Sequence, residues 1–154
     1  METSDRAPAR EGGAEVVRLR PLRVLVVSRD DLFRAVTAML LARRDCVTTS
    51  LAGAGRVGRL LEAGRVDVAV VDGVSLLRDV TEEIAHALPL AVPLAAVLAL
   101  GEGEAAPEGI VTVAKWAPFD CIFAAVERAD QRRGRRRPAD APLRLSVIAA
   151  DARS

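Results

Sequence analysis

Asp72 and Lys115 are the two residues of this chain best placed for chemistry, because each follows directly on a short apolar run. Asp72 ends the run V-D-V-A-V-V-D at 66–72, and Lys115, the sole lysine of the chain, follows the run 110–114. Short Val-rich runs are typical of buried strands, and the carboxyl ends of parallel strands meet at one edge of a sheet. In open α/β sheets, ligands and chemistry gather just beyond this edge, so a carboxylate and an ammonium group placed there are candidate functional groups. The simpler alternatives are that Asp72 only caps the turn at Gly73 and that Lys115 is an ordinary surface lysine.

Strands alternate with helices along the part of the chain that would position these two residues. Apolar runs predict strands at 23–27, 46–51, 66–71, 94–100 and 110–114, and amphipathic periods predict helices at 32–44, 56–63, 76–88 and 118–132. The second strand is the most polar, so we expect it at or near an edge of the sheet. This alternation predicts an α/β fold, with a parallel sheet and helices on both faces.

The first predicted helix, at 32–44, has one apolar face. Its apolar residues fall at one helical period, which predicts that the following side chains face the core: Leu32, Val36, Met39 and Leu40. Asp30 precedes this helix in the position of an N-cap, which by itself accounts for a carboxylate there.

Composition limits the classes of partner. The chain has 154 residues, of which 51% are hydrophobic and 28% charged, with a net charge of +1. One globular domain is expected, and the overall charge predicts neither a membrane nor a nucleic-acid partner. Cys46 and Cys121 lack metal or redox spacing and suggest reduced thiols in a cytoplasmic protein. We expect a leader at 1–21, the domain at 22–132, and a basic linker or tail at 133–154 that is a solvated segment rather than a nucleic-acid contact.

Three stretches resemble one known family. The sequence R-V-L-V-V-S-R-D-D-L-F-R begins at Arg23, V-D-V-A-V-V-D-G ends at Gly73, and V-A-K-W-A-P-F-D contains Lys115. Over about 22–132 the order of these stretches resembles the receiver domain of bacterial two-component response regulators. The resemblance implies a flavodoxin-like, five-stranded parallel sheet, with Asp72 at the phosphoacceptor position and Lys115 at the position of the family's phosphate-binding lysine. It also implies protein partners, either a histidine kinase or an output domain, and a homodimer as one form of assembly.

The chain departs from the family where a metal would bind. The resemblance implies two adjacent acids after the first strand that hold Mg²⁺, but Ser28 and Arg29 occupy those positions and Asp30 lies one residue further on. Our hypothesis is that the Arg29 guanidinium takes the place of the metal and pairs with Asp72; the alternative is that it points to solvent. We therefore expect no bound metal and no other cofactor.

Two further departures concern the elements with which the family responds to phosphorylation. The end of the fourth strand, near Leu98 and Ala99, lacks the hydroxyl that the family uses, and the Gly-containing loop 101–109 is too short for a full fourth helix. The preferred interpretation is a non-enzymatic regulatory module that acts through protein contacts without phosphorylation. Trp116, beside Lys115, either fills the core or contacts a partner.

Two alternatives remain. In the first, the domain is a working phosphoacceptor that uses Mg²⁺ and takes a phosphoryl group on Asp72 from a histidine kinase. In the second, the turn from Gly53 to Gly58, which matches G-x-G-x-x-G, binds a nucleotide or another small ligand, with Asp72 near the distance of the ribose-binding acid.

Overall fold

A computed structural model describes residues 20–87 and 95–136. The strands are β1 (Arg23–Val27), β2 (Val47–Leu51), β3 (Val68–Asp72), β4 (Ala95–Leu100) and β5 (Val111–Ala114). The helices are α1 (Asp31–Ala42), α2 (Val57–Glu62), α3 (Val74–Ala87) and α4 (Phe119–Arg136), and one 3₁₀ turn, Ala54–Arg56, precedes α2. Every predicted strand and helix is present, with boundaries shifted by a few residues.

The five strands form one parallel sheet in the order β2-β1-β3-β4-β5. This order confirms the flavodoxin-like, five-stranded fold, and it places the polar strand β2 at an edge as expected. The register sets Val27 opposite Val71 and Asp72 opposite Ala99, so the ends of β1, β3 and β4 lie side by side. Between Leu100 and Val111 the chain forms turns and no helix, which confirms that the loop 101–109 holds no full helix between β4 and β5.

The sheet carries a hydrophobic layer on each face, because successive strand residues point to opposite sides. Leu25, Val27, Ala69 and Val71 pack with residues of α2 and α3 on one face. On the other face, Val24, Val26, Val68 and Val70 pack with residues of α1 and α4, including Leu41 and Val126. Both faces of the central strands are therefore buried, which explains why these strands are continuous runs of Val, Leu and Ala.

The predicted buried face of α1 is wrong. Phe33, Thr37 and Leu41 are the buried residues of this helix, whereas Leu32 and Met39 are 63% and 50% exposed. Both sets follow a helical period and differ by a rotation of about one residue, or roughly 100°. Packing sets this rotation, because Leu41 enters the hydrophobic layer of the sheet and the Phe33 ring is buried against Trp116.

The ends of the chain are only partly described. Helix α4 continues to Arg136, four residues past its predicted end at 132. The predicted leader lies mostly outside the described residues, as do the predicted tail beyond 136 and the predicted end of α3 at Leu88. Within 20–87 and 95–136, no helix is long and apolar enough to cross a membrane.

Candidate functional site

Asp72 lies at the carboxyl end of the central strand β3 and is bound there by a serine. The Ser28 hydroxyl, one residue past β1, donates to Oδ2 of Asp72 over 2.6 Å. Ser28 is fully buried, and the side chain of Asp72 is only 10% exposed. The β4 residue opposite Asp72 is Ala99, so a hydroxyl does reach this carboxylate, but it comes from β1 rather than from β4.

Lys115 joins two carboxylates. Its Nζ lies 3.1 Å from Oδ2 of Asp72 and 2.9 Å from Oδ2 of Asp30. The hydrogen bond to Asp30 has the largest effect and raises the pKa of Lys115; burial lowers this pKa, and the hydrogen bond and charge of Asp72 raise it again, so that the net shift is upward. The structure thus brings together Asp72 and Lys115, as expected for the ends of β3 and β5, and adds Asp30 to the pair.

Asp30 serves the site and helix α1 at the same time. Its Oδ1 accepts hydrogen bonds from the backbone amides of Leu32 and Phe33, and its own amide donates to the Ser28 hydroxyl over 3.0 Å. The hydrogen bond from Lys115 lowers the pKa of Asp30, and the amide of Phe33 lowers it further. Both carboxylate oxygens of Asp30 therefore already have partners within the chain.

The hypothesis that Arg29 pairs with Asp72 is wrong. Arg29 turns toward α3, where its guanidinium lies 2.9 Å from the carboxylate of Asp79. Both side chains of this pair are largely exposed, at 59% and 45%, so the pair contributes little to stability. The cation beside Asp72 is the ammonium of Lys115, and Arg29 lies outside the site.

Trp116 forms the exposed rim of the site. The residue is 57% exposed, and its ring packs edge-on against the buried ring of Phe33, with 5.3 Å between the centroids. The Lys115 ammonium lies 5.4 Å from the centre of the same Phe33 ring. Trp116 therefore presents a large apolar surface next to the charged cluster instead of filling the core.

Glu104 belongs to this end of the sheet and was missed in the sequence. Its two carboxylate oxygens accept hydrogen bonds from the backbone amides of Gly101, over 2.8 Å, and Val74, over 3.1 Å. Val74 follows Asp72 by two residues and begins α3. The one sequence signal was an acid shortly after a predicted strand end, and the loop has no periodicity that would show where its side chain points.

Asp67 is a second missed residue, at the opposite end of β3. Its side chain is 3% exposed and accepts hydrogen bonds from Arg20 and Arg23, and the guanidinium of Arg133 lies 3.5 Å away. Burial alone would raise the pKa of Asp67, but the hydrogen bonds from Arg23 and Arg20 outweigh it and hold the pKa well below its usual range. In the sequence, Asp67 falls within the run 66–72, which predicts a strand, so its position gives no separate sign of a buried ion pair.

The Gly-rich turn lies at the edge of the sheet and not at the end of β1 or β3. It follows the edge strand β2, and Gly53 has an extended backbone with φ of −159°. In a sheet of this order the ligand crevice lies where the strand order reverses, between β1 and β3. Helix α2, which follows the turn, is only six residues long. The position of the turn gives no support to a dinucleotide site.

Comparisons with known proteins give a match in structure alone. No protein-family model matches the sequence. No curated protein matches it either. Among solved structures, a response regulator receiver domain protein from Clostridium thermocellum aligns with a TM-score of 0.57 and 17% identity, over 73% of this chain and 97% of that one. A receiver protein from Sinorhizobium medicae gives 0.58 and 13%, over 75% and 99%.

A third structure is one domain of a larger regulator. It is the N-terminal domain of a three-domain response regulator/sensory box/GGDEF protein from Carboxydothermus hydrogenoformans, with a TM-score of 0.58 and 16% identity, over 73% of this chain and 96% of that one. All three alignments cover nearly the whole of the matched domain. This chain has the fold of response regulator receiver domains.

Proposed function

We propose that this protein is a receiver-type regulatory module of signal transduction that works through protein contacts and takes no phosphoryl group on Asp72. The observation that carries the proposal is the bridging position of Lys115. Its ammonium contacts the carboxylates of Asp30 and Asp72 together, within 3.1 Å of each. The ammonium offsets one of the two negative charges, and the Ser28 hydroxyl and the amides of helix α1 supply further hydrogen bonds, so the chain itself provides partners for both carboxylates.

The donor set does not fit a magnesium ion. Mg²⁺ binds through one or two carboxylates together with phosphate oxygens and water, in a strict octahedron. Of the two acids near Lys115, Asp30 has both oxygens occupied by helix α1 and the ammonium, and Oδ2 of Asp72 is shared by Ser28 and the ammonium. No group of three or more His, Cys, Asp or Glu side chains arranged to hold a metal occurs within 20–87 and 95–136.

An exposed aromatic side chain beside the charged cluster of Asp30, Asp72 and Lys115 suits a protein partner. Large aromatic residues contribute strongly to protein interfaces, and Trp116 is held in place by Phe33. An open groove of about 570 Å³ lies next to it, lined by β5, Lys115 and the start of the loop after β4. We assign this rim as the contact surface, with a histidine kinase or an output domain as the partner. The module itself catalyses no reaction in this proposal.

Chemical phosphorylation tests the proposal. The full chain is incubated with acetyl phosphate and Mg²⁺, and its intact mass is measured beside that of the variant Asp72→Asn. We expect no added phosphoryl group on either protein, because the donor set around Asp72 does not fit the Mg²⁺ ion that would share with Lys115 the charge of an incoming phosphoryl group. A phosphoryl group that appears on the unchanged protein and is lost in Asp72→Asn would show a working phosphoacceptor and overturn the proposal.

A further inference from the structure

Two backbone amides converge beside Asp72 at the carboxyl edge of the sheet. One belongs to Val74, the first residue of the 14-residue helix α3, and the other to Gly101, the residue after β4. We call this pair the amide cradle. Adjacent hydrogen bonds fix its two sides, because the amide of Gly73 donates to the carbonyl of Ala99 and the amide of Lys115 donates to that of Leu100.

A pair of amides of this kind is suited to an oxyanion. The amino end of a helix carries unpaired N–H groups and a partial positive charge, and a second N–H from a neighbouring strand adds a second direction of hydrogen bonding. The chain supplies the oxyanion itself. One oxygen of Glu104 binds each side of the cradle, at 3.1 Å for Val74 and 2.8 Å for Gly101.

The carboxylate also lies against the turn that follows Asp72. Gly73 has a φ of +100°, and a Cβ atom placed on it would lie 3.6 Å from Oε2 of Glu104. Glu104 therefore reaches across from the loop 101–109 to the residue next to Asp72, and it joins the ends of β3 and β4 through a single side chain. A residue whose only role was to cap α3 would not also accept a hydrogen bond from the amide of Gly101.

We propose that Glu104 is an intramolecular ligand of the amide cradle. Its carboxylate holds the loop 101–109 in place and keeps small oxyanions such as inorganic phosphate out of the cradle. We call this contact the latch. This inference deepens the proposed function, because a cradle already filled by the chain is one more reason for the site to work without a phosphoryl group. The latch also fixes one wall of the groove beside Trp116, since Gly101 and Glu102 line that groove.

Phosphate binding to loop variants tests the latch. The full chain is labelled with ¹⁵N and titrated with inorganic phosphate, without Mg²⁺, while the amide signals of Val74 and Gly101 are followed. In Glu104→Ala we expect saturable shifts of these two signals and an affinity at least about tenfold above that of the unchanged protein, because a tethered competitor has been removed. The matched control is Glu102→Ala, which removes an exposed carboxylate from the same loop and is expected to behave like the unchanged protein.

Two results would overturn the inference. In the first, phosphate shifts the amide signals of Val74 and Gly101 in the unchanged protein with the same affinity as in Glu104→Ala. Glu104 would then not exclude phosphate from the cradle. In the second, folded Glu104→Ala shows no response, so that the cradle binds no oxyanion. If Glu104→Ala does not fold, Glu104→Gln replaces it, because glutamine keeps the size of the side chain and removes its charge. Inorganic phosphate transfers no phosphoryl group, so this test and the labelling of Asp72 fail independently.

Discussion

Replacing Asp67 with asparagine is expected to lower the free energy of unfolding by about 3 kcal/mol, since loss of a buried charge leaves its partners uncompensated. The carboxylate of Asp67 is buried and lies among the guanidinium groups of Arg20, Arg23 and Arg133. Asparagine keeps one acceptor oxygen but not the charge. The estimate stands at the low end of the range for buried ion pairs because the three arginines partly reach water. Urea denaturation followed by circular dichroism measures the change.

The matched control is Asp79→Asn. Asp79 also pairs with an arginine, Arg29, but both side chains of that pair are largely exposed. Exposed pairs of this kind contribute at most about 1 kcal/mol. If the two variants lose equal stability, the burial of Asp67 among its three arginines adds nothing beyond an exposed ion pair.

The Asp67 cluster also fixes the direction of a pH effect. The pKa of Asp67 is lowered in the folded protein, so its contribution is complete above the unfolded pKa of about 4 and is lost as the pH falls from there toward the folded pKa. We therefore expect the stability of the unchanged protein to fall below that pH, and Asp67→Asn to show a shallower fall. Equal slopes in the two proteins would contradict the assignment.

Restoring two carboxylates after β1 is expected to create a magnesium site. In the double variant Ser28→Asp/Arg29→Asp, an acid replaces the hydroxyl that lies 2.6 Å from Asp72, and a second acid follows it. Mg²⁺ prefers carboxylate oxygens, so we expect its affinity to rise at least about tenfold over that of the unchanged protein. Calorimetric titration measures the affinity, and stabilisation of the variant by Mg²⁺ in thermal unfolding gives a second readout.

The control for this variant is the same double substitution combined with Asp72→Asn. It removes the carboxylate at the end of β3, and the gain in Mg²⁺ affinity should largely disappear. A double variant that binds Mg²⁺ no better than the unchanged protein would mean that the missing acids are not what disfavours the metal.

The fold and the meeting of Asp72 with Lys115 could be predicted from the sequence for a simple reason. Continuous Val-rich runs between amphipathic segments leave a parallel sheet as the arrangement that buries both strand faces, and such a sheet gathers its strand ends. Solved receiver structures with 13–17% identity share this fold, because it depends on the pattern of apolar residues more than on their identity.

The contacts of single side chains could not be predicted in the same way. Arg29 and Asp30 are adjacent, and the geometry of one turn sends the first to Asp79 and the second to Lys115. The predicted face of α1 was rotated by one residue because two overlapping apolar periods fit the same segment. Glu104 lies in a loop without periodicity, where only the folded position of its neighbours shows what its carboxylate binds.

Titration of the unchanged protein with beryllofluoride and Mg²⁺ shows whether Asp72 can take up a phosphoryl-like group. Beryllofluoride occupies a phosphoacceptor carboxylate without a covalent bond, so it reports whether Asp72 is open to a phosphoryl-like group. Because Lys115 and Ser28 already bind Oδ2 of Asp72 and the donor set around it does not fit Mg²⁺, we predict no saturable change in the amide signals of Gly73, Lys115 and Trp116. Saturable shifts at these residues that need both additions and vanish in Asp72→Asn would contradict the account.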